Sequence, residues 1–252
     1  MVADALVHHP TVAHYLRFVA TTAGRDKLLR TLQYFSRFYA WYLLRTNAPS
    51  RLIVPWEAIK KQFGLSRKLL RVGKNVEHLK AAAVAADAKG MDPVLKYCAV
   101  GRQLGYGTYL SVDMITYLDA AGIRPSPAAK RLQQEAYKAW LAGIACNTIA
   151  GFYTLWQLRQ TEQNLDISSG EKAVESKKLQ RYSYLETAKK RTIVNNVYRE
   201  RNATNLQLIS DLCDLTVPMT ALGYVTLDDG IVGLAGTLSS LIGLWTTWKK
   251  TA

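Results

Sequence analysis

The amino-acid sequence predicts an all-α membrane protein, with amphipathic helices in its N-terminal part and about two membrane-spanning helices behind them. Three observations predict it. Strand-like alternation is almost absent, and apolar residues recur at three- and four-residue intervals. Two stretches, 139–158 and 231–248, hold no charge over twenty and eighteen residues, and twenty helical residues rise roughly 30 Å, about one bilayer core. The basic excess lies ahead of them: residues 1–125 carry 18 Lys/Arg against 8 Asp/Glu, within a net charge of +14 for the 252 residues. Such a balance favours an anionic partner, either nucleic acid or a membrane surface.

The elements follow in order. Residues 1–20 are broken by Asp4, His8, His9, Pro10 and Arg17, unlike a secretory leader. After Pro10, TVAHYLRFVATTAG forms a short helix ending near Gly24. The next helix, GRDKLLRTLQYFSRFYAWYLLR (24–45), interleaves Tyr34, Phe35, Phe38, Tyr39, Trp41 and Tyr42 with Arg30, Arg37 and Arg45. That face suits a membrane interface, self-association or packing on neighbouring helices. Asn47, Pro49 and Pro55 mark a turn.

The segment FGLSRKLLRVGKNVEHLK (63–80) is wound as one helix. At about 100° per residue, Leu65, Leu69, Val72, Val76 and Leu79 share one stripe. Arg67, Lys68, Arg71, Lys74 and His78 fall opposite, and Lys60 and Lys61 extend the cationic side. Three readings stay open on these residues alone. The segment is a surface helix packed on a core, an interfacial helix lying on anionic headgroups, or a grip on nucleic-acid phosphates.

Lys89 to Pro93 ends that element, and 93–121 continues as helix. Its GRQLGYG (101–107) follows no strand and lacks the Lys-Ser/Thr of a phosphate loop, so it reads as a helix-packing surface. Gly122, Pro125 and Pro127 close a basic, amphipathic region spanning 1–125. Residues 126–165 form a long helix containing the first span, 139–158, with Trp140, Tyr153 and Trp156 placed as interfacial aromatics. A polar, basic loop turning into helix occupies 166–201. Residues 202–252 form an apolar helical hairpin. Its first part, 215–227, is short and broken by Pro218; its second holds the span 231–248, closed by snorkelling Lys249 and Lys250.

Small residues form two seams at helical spacing: Gly143, Asn147, Ala150 and Thr154, and Gly233, Gly236, Ser240 and Gly243, continued by Thr247. Such seams let helices approach closely in lipid. Catalytic chemistry does not stand out. Cys98, Cys146 and Cys213 are scattered in apolar surroundings and read as buried thiols. His8, His9 and His14 lack metal-binding spacing, and Asp211 and Asp214 read as solvated or capping residues. The expectation is a protein that is not an enzyme and holds no cofactor or metal.

Three blocks, GRDKLLRTLQYFSRFYAWYL, KQFGLSRKLLRVGKNVEHLK and LAGTLSSLIGLWTTWKK, resemble the peroxisomal membrane protein 11 (peroxin 11) family in its fungal form. The resemblance covers nearly the whole chain. It implies an integral protein of the peroxisomal membrane with cytosolic termini. It further implies that an amphipathic helix, matching 60–80 here, inserts into one leaflet and curves and elongates the organelle. Self-association, recruitment of a dynamin-related fission GTPase with its membrane adaptor, and delivery by the peroxisomal membrane-protein import receptor are implied as well. On this resemblance Leu65, Leu69, Val72, Val76 and Leu79 insert. Lys60, Lys61, Arg67, Lys68, Arg71 and Lys74 contact anionic phospholipid, and no nucleic-acid role is expected. The alternative is a pore for small metabolites, with Asn147 and the break at Pro218 as candidates to line it.

Overall fold

The computed structural model describes residues 9–175 and 183–252, and side chains outside 165–190. Among the described residues every regular element is helical. In chain order these are α1 (Pro10–Ala20), α2 (Thr22–Arg45), α3 (Ser50–Leu70), α4 (Lys74–Asp87), α5 (Pro93–Ile115), the single turn α6 (Tyr117–Ala120), α7 (Ala129–Glu175), α8 (Ser183–Ala221) and α9 (Asp229–Lys250). Local chemistry sets several starts. The Thr21 hydroxyl accepts the Gly24 N–H at 2.9 Å for α2. The Asp92 carboxylate accepts those of Val94 and Leu95 at 2.8 and 3.3 Å for α5, with Pro93 in the first turn where no N–H is needed. Asp228 does the same for Ile231 at 2.9 Å and opens α9.

The helices form a bundle whose neighbours run α4, α5, α7, α8, α9, α2, α3 around it. The N-terminal α2 therefore packs along the C-terminal α9. Glycines set that distance: a Cβ at Gly230 would meet the Trp41 ring, one at Gly233 the Phe38 backbone, and one at Gly236 the Tyr34 ring. The partners descend along α2 as the glycines ascend along α9, so the two helices are antiparallel. On the other side, Gly105 of α5 crosses Gly143 of α7, and Gly101 lies against Cys146. The GRQLGYG motif is thus a packing surface. A compact apolar core joins these crossings, with Tyr34, Tyr109, Leu110, Trp140, Ile144, Val217 and Val232 buried. Tyr109 and Trp140 stack there at 5.0 Å.

The structure alters several expectations. Segment 63–80 is two helices, because residues 71–73 form a turn in which Gly73 takes φ +81°, a left-handed conformation that favours glycine. Pro55 and Pro218 lie inside α3 and α8 and do not break them. Helix α7 runs on to Glu175, through the first part of the stretch expected as a loop; within 166–201, residues 176–182 lie outside the described residues. Trp140 is in the core and not at an interface. Among the described residues one helix, Asp229–Lys250, is long and apolar enough to cross a membrane. The expected span 139–158 is uncharged, but Asn147, Thr148, Thr154 and Gln157 dilute its apolar character.

Candidate membrane interface and polar core

The bundle carries large apolar side chains outside and charged ones inside. Among the described residues 37 large hydrophobic side chains are exposed, and they occur on all the long helices. A scatter of exposed apolar groups is ordinary, but buried charge combined with extensive exposed apolar surface is not.

Helices α3 and α4 show the inversion most clearly. Leu69, Val72, Val76 and Leu79 are 55, 52, 63 and 46 % exposed, whereas Arg67 is 8 % exposed. Leu65 is half-buried. The stripe faces outward along both helices, and most of the cationic side turns inward to meet carboxylates from distant parts of the chain. Arg67 donates from Nε to Asp26 at 2.9 Å and from Nη1 to the Gln33 side chain at 2.6 Å. Asp113 takes both Lys68 and Arg71, each at 2.9 Å. Arg71 also reaches the Tyr109 hydroxyl at 3.4 Å. Lys74 is half-buried on the inner side. Lys60 pairs with Glu57 at 2.6 Å and lies 3.7 Å from Asp229; Lys61 is exposed. Of the six cations assigned to headgroups, Arg67, Lys68 and Arg71 thus already hold carboxylates inside the bundle.

Two further carboxylates lie in α8. Asp214 pairs with Arg30 at 2.5 Å and accepts the Ser239 hydroxyl. Asp211 accepts from Asn147 and from Gln207. Both are buried, so the solvated reading is corrected: they tie α2, α7 and α9 to α8. Burial is the largest single influence on Asp26 and raises its carboxyl pKa, yet Arg67, Arg71 and Lys27 together hold the group below its ordinary range. Lys27, desolvated and beside Arg30, is pushed down to about 8.

The small residues divide by partner. Gly143 meets α5, Asn147 meets Asp211, and Gly233 and Gly236 meet α2. The Gly243 position abuts the end of Lys27, and the buried Ser240 hydroxyl donates to the Gly236 carbonyl. Ala150 and Thr154 are half-buried in α7. The opposite face of α9 presents Leu234, Leu238, Leu241 and Trp245 outward. Sequence reasoning missed Asp26, Asp113, Asp211 and Asp214 as organising residues. For Asp113, Asp211 and Asp214 the signal was carboxylates in apolar helical contexts, LSVDMI and LISDLCDL; Asp26, between Arg25 and Lys27, carried no such signal.

The family model for peroxisomal biogenesis factor 11 (PEX11) matches residues 12–248. The chain is 28 % identical to peroxisomal membrane protein PMP27 of Saccharomyces cerevisiae, over all of both chains. It is 28 % identical to PMP30B of Candida boidinii, over all of this chain and 99 % of that one. It is 24 % identical to human peroxisomal membrane protein 11B, over 92 % and 95 % of the two. No solved structure matches it.

Proposed function

Because this chain belongs to the peroxisomal biogenesis factor 11 family, we propose that it is a protein of the peroxisomal membrane that curves and elongates that membrane ahead of division. The observation that carries the reading is the outward stripe of Leu69, Val72, Val76 and Leu79 on helices whose charges are satisfied inside. An apolar face sunk partway into one leaflet expands that leaflet's headgroup region and favours positive curvature. Lys61 and Lys80 are exposed beside the stripe and supply headgroup contact, worth about 1 kcal/mol each near an anionic surface. In this reading Arg67, Lys68, Arg71 and Lys74 reach lipid only when α3 and α4 swing away from Asp26 and Asp113. Helix α9 anchors the chain across the bilayer. Self-association, recruitment of the dynamin-related fission GTPase and its adaptor, and delivery by the membrane-protein import receptor belong to the same proposal and rest on the family resemblance.

The test is reconstitution of the full chain into liposomes containing anionic lipid, followed by electron microscopy. Wild type draws tubules. Leu69→Asp combined with Val76→Asp, which changes exposed positions only, abolishes them without lowering the unfolding temperature. Normal tubulation by this variant sinks the wedge assignment.

A second reading, a path for small metabolites, is supported by a polar cavity inside the bundle near the Asn147–Asp211 pair. Single-channel conductance lost on Asn147→Leu supports it, and silent bilayers count against it.

A further inference from the structure

The cavity at the centre of the bundle has a volume of about 570 Å³ and is bordered by α2, α3, α4, α5, α7, α8 and α9. That is within the size range of small-molecule sites, roughly 300–1,000 Å³. Among the described residues its lining includes eight Lys/Arg and four Asp. Half of the cations are already committed: Arg30 to Asp214, Arg67 to Asp26, and Lys68 and Arg71 to Asp113. Lys27, Lys74, Arg102 and Lys250 face the same space and form no ion pair among the described residues. The fourth carboxylate, Asp211, is engaged by two neutral amides, Asn147 and Gln207.

One atom makes the surplus specific. Arg102 Nε is the buried side-chain nitrogen or oxygen without a hydrogen-bond partner among the described residues. A buried donor left unpaired is costly, and each such group in a native structure calls for an explanation. The Arg102 guanidinium is held over the Tyr106 ring at 5.5 Å, and Tyr106 lines the same cavity. Opposite, the Lys27 side chain rests against Gly243, where a Cβ would lie 2.9 Å from its ammonium nitrogen. The lowered pKa of Lys27 has burial as its largest cause and the neighbouring Arg30 charge as the next, against a smaller opposing pull from Asp26 and Asp214.

We propose that this cavity is a binding site for a phosphate-class anion, held by Arg102 and Lys27 within the bundle and by Lys74 and Lys250 at its margin. Several unpaired cations around one space call for a ligand carrying two or more negative charges, which a mono- or diphosphate group does. The phosphate group of a soluble metabolite and that of a lipid headgroup share this chemistry. The site requires neither the curvature reading nor the conduction reading.

The test uses the full chain in nanodiscs of phosphatidylcholine, titrated with pyrophosphate at constant ionic strength and followed by thermal unfolding. A saturable rise in the unfolding midpoint is expected. Arg102→Gln and Lys250→Gln each weaken the apparent affinity by about tenfold or more, the scale of one charge-assisted hydrogen bond. Lys138→Gln, whose side chain is exposed and pairs with Glu135, leaves it unchanged. If Arg102→Gln does not fold, Lys250→Gln carries the test, since Lys250 is exposed at the end of α9. No response to pyrophosphate, but a saturable response to phosphatidic acid in the nanodisc that the same variants weaken, assigns the site to a lipid headgroup. No response to either ligand overturns the proposal, as does a response that both variants retain in full.

Discussion

The Asp26–Arg67 pair permits a quantitative test of the inward-facing charges. The two groups are 2.9 Å apart, with side chains 10 and 9 % exposed. At an effective dielectric near 20, unit charges at that distance attract by about 6 kcal/mol, and desolvation of both ions takes back most of it. Removing one partner leaves the other buried and unpaired, so Asp26→Leu and Arg67→Met should each cost about 3–5 kcal/mol. Removing both leaves no orphaned charge. What is then lost is chiefly the hydrogen bond from Arg67 to half-buried Gln33, about 1 kcal/mol. The double variant should therefore be at least about 2 kcal/mol more stable than either single one. The assay is equilibrium unfolding in mild detergent micelles, read by tryptophan fluorescence. A double variant as unstable as the sum of the singles would refute the reasoning, because the two side chains would then be acting separately.

The same pair makes an acid prediction. The folded pKa of Asp26 is depressed, so its contribution is complete above the ordinary carboxylate value of about 3.9 and is lost as pH falls through the lower folded value. In Arg67→Met the principal lowering charge is gone while burial persists, so the folded carboxyl favours its neutral form and protonation relieves the orphaned charge; the variant's deficit in unfolding midpoint relative to wild type should therefore narrow as pH falls from 6 to 3, and a deficit that widens would contradict this. At the α5–α7 crossing, Gly105→Ala would set a Cβ 2.6 Å from the Ala139 carbonyl and 2.7 Å from the Gly143 Cα. Backbone cannot yield as a side chain tip can, so a loss of about 1–3 kcal/mol is expected, and an unchanged unfolding midpoint would show that the crossing is looser than described.

Much of the helix inventory was legible, because the periodicity of apolar residues and the Gly/Pro breaks at 90–93 and 122–127 are local signals; the first boundary falls at Thr21 and not near Gly24, because the Thr21 hydroxyl caps α2. The break at residues 71–73 was within reach, since Gly73 can take the left-handed turn that ends α3. The orientation of 63–80 was not. A stripe with cations opposite has the same spacing whether the stripe faces a core or a lipid tail. What decides it lies 41 and 42 residues away, at Asp26 for Arg67 and at Asp113 for Arg71. The span at 139–158 was read from its lack of charge; its amides and hydroxyls make it less apolar than α9, and a second span is not confirmed among the described residues. Asn147 illustrates this: it serves the buried carboxylate of Asp211.

The central claim is that the outer face of α3 and α4 touches lipid. The direct measurement is nitroxide accessibility in proteoliposomes, with single labels at positions 69, 72, 76 and 79 in a chain whose Cys98, Cys146 and Cys213 are replaced by alanine. Collisions with oxygen, which partitions into lipid, should exceed those with a water-soluble nickel chelate at all four positions. Greater collision with the nickel chelate at all four would place the stripe in water and contradict the account.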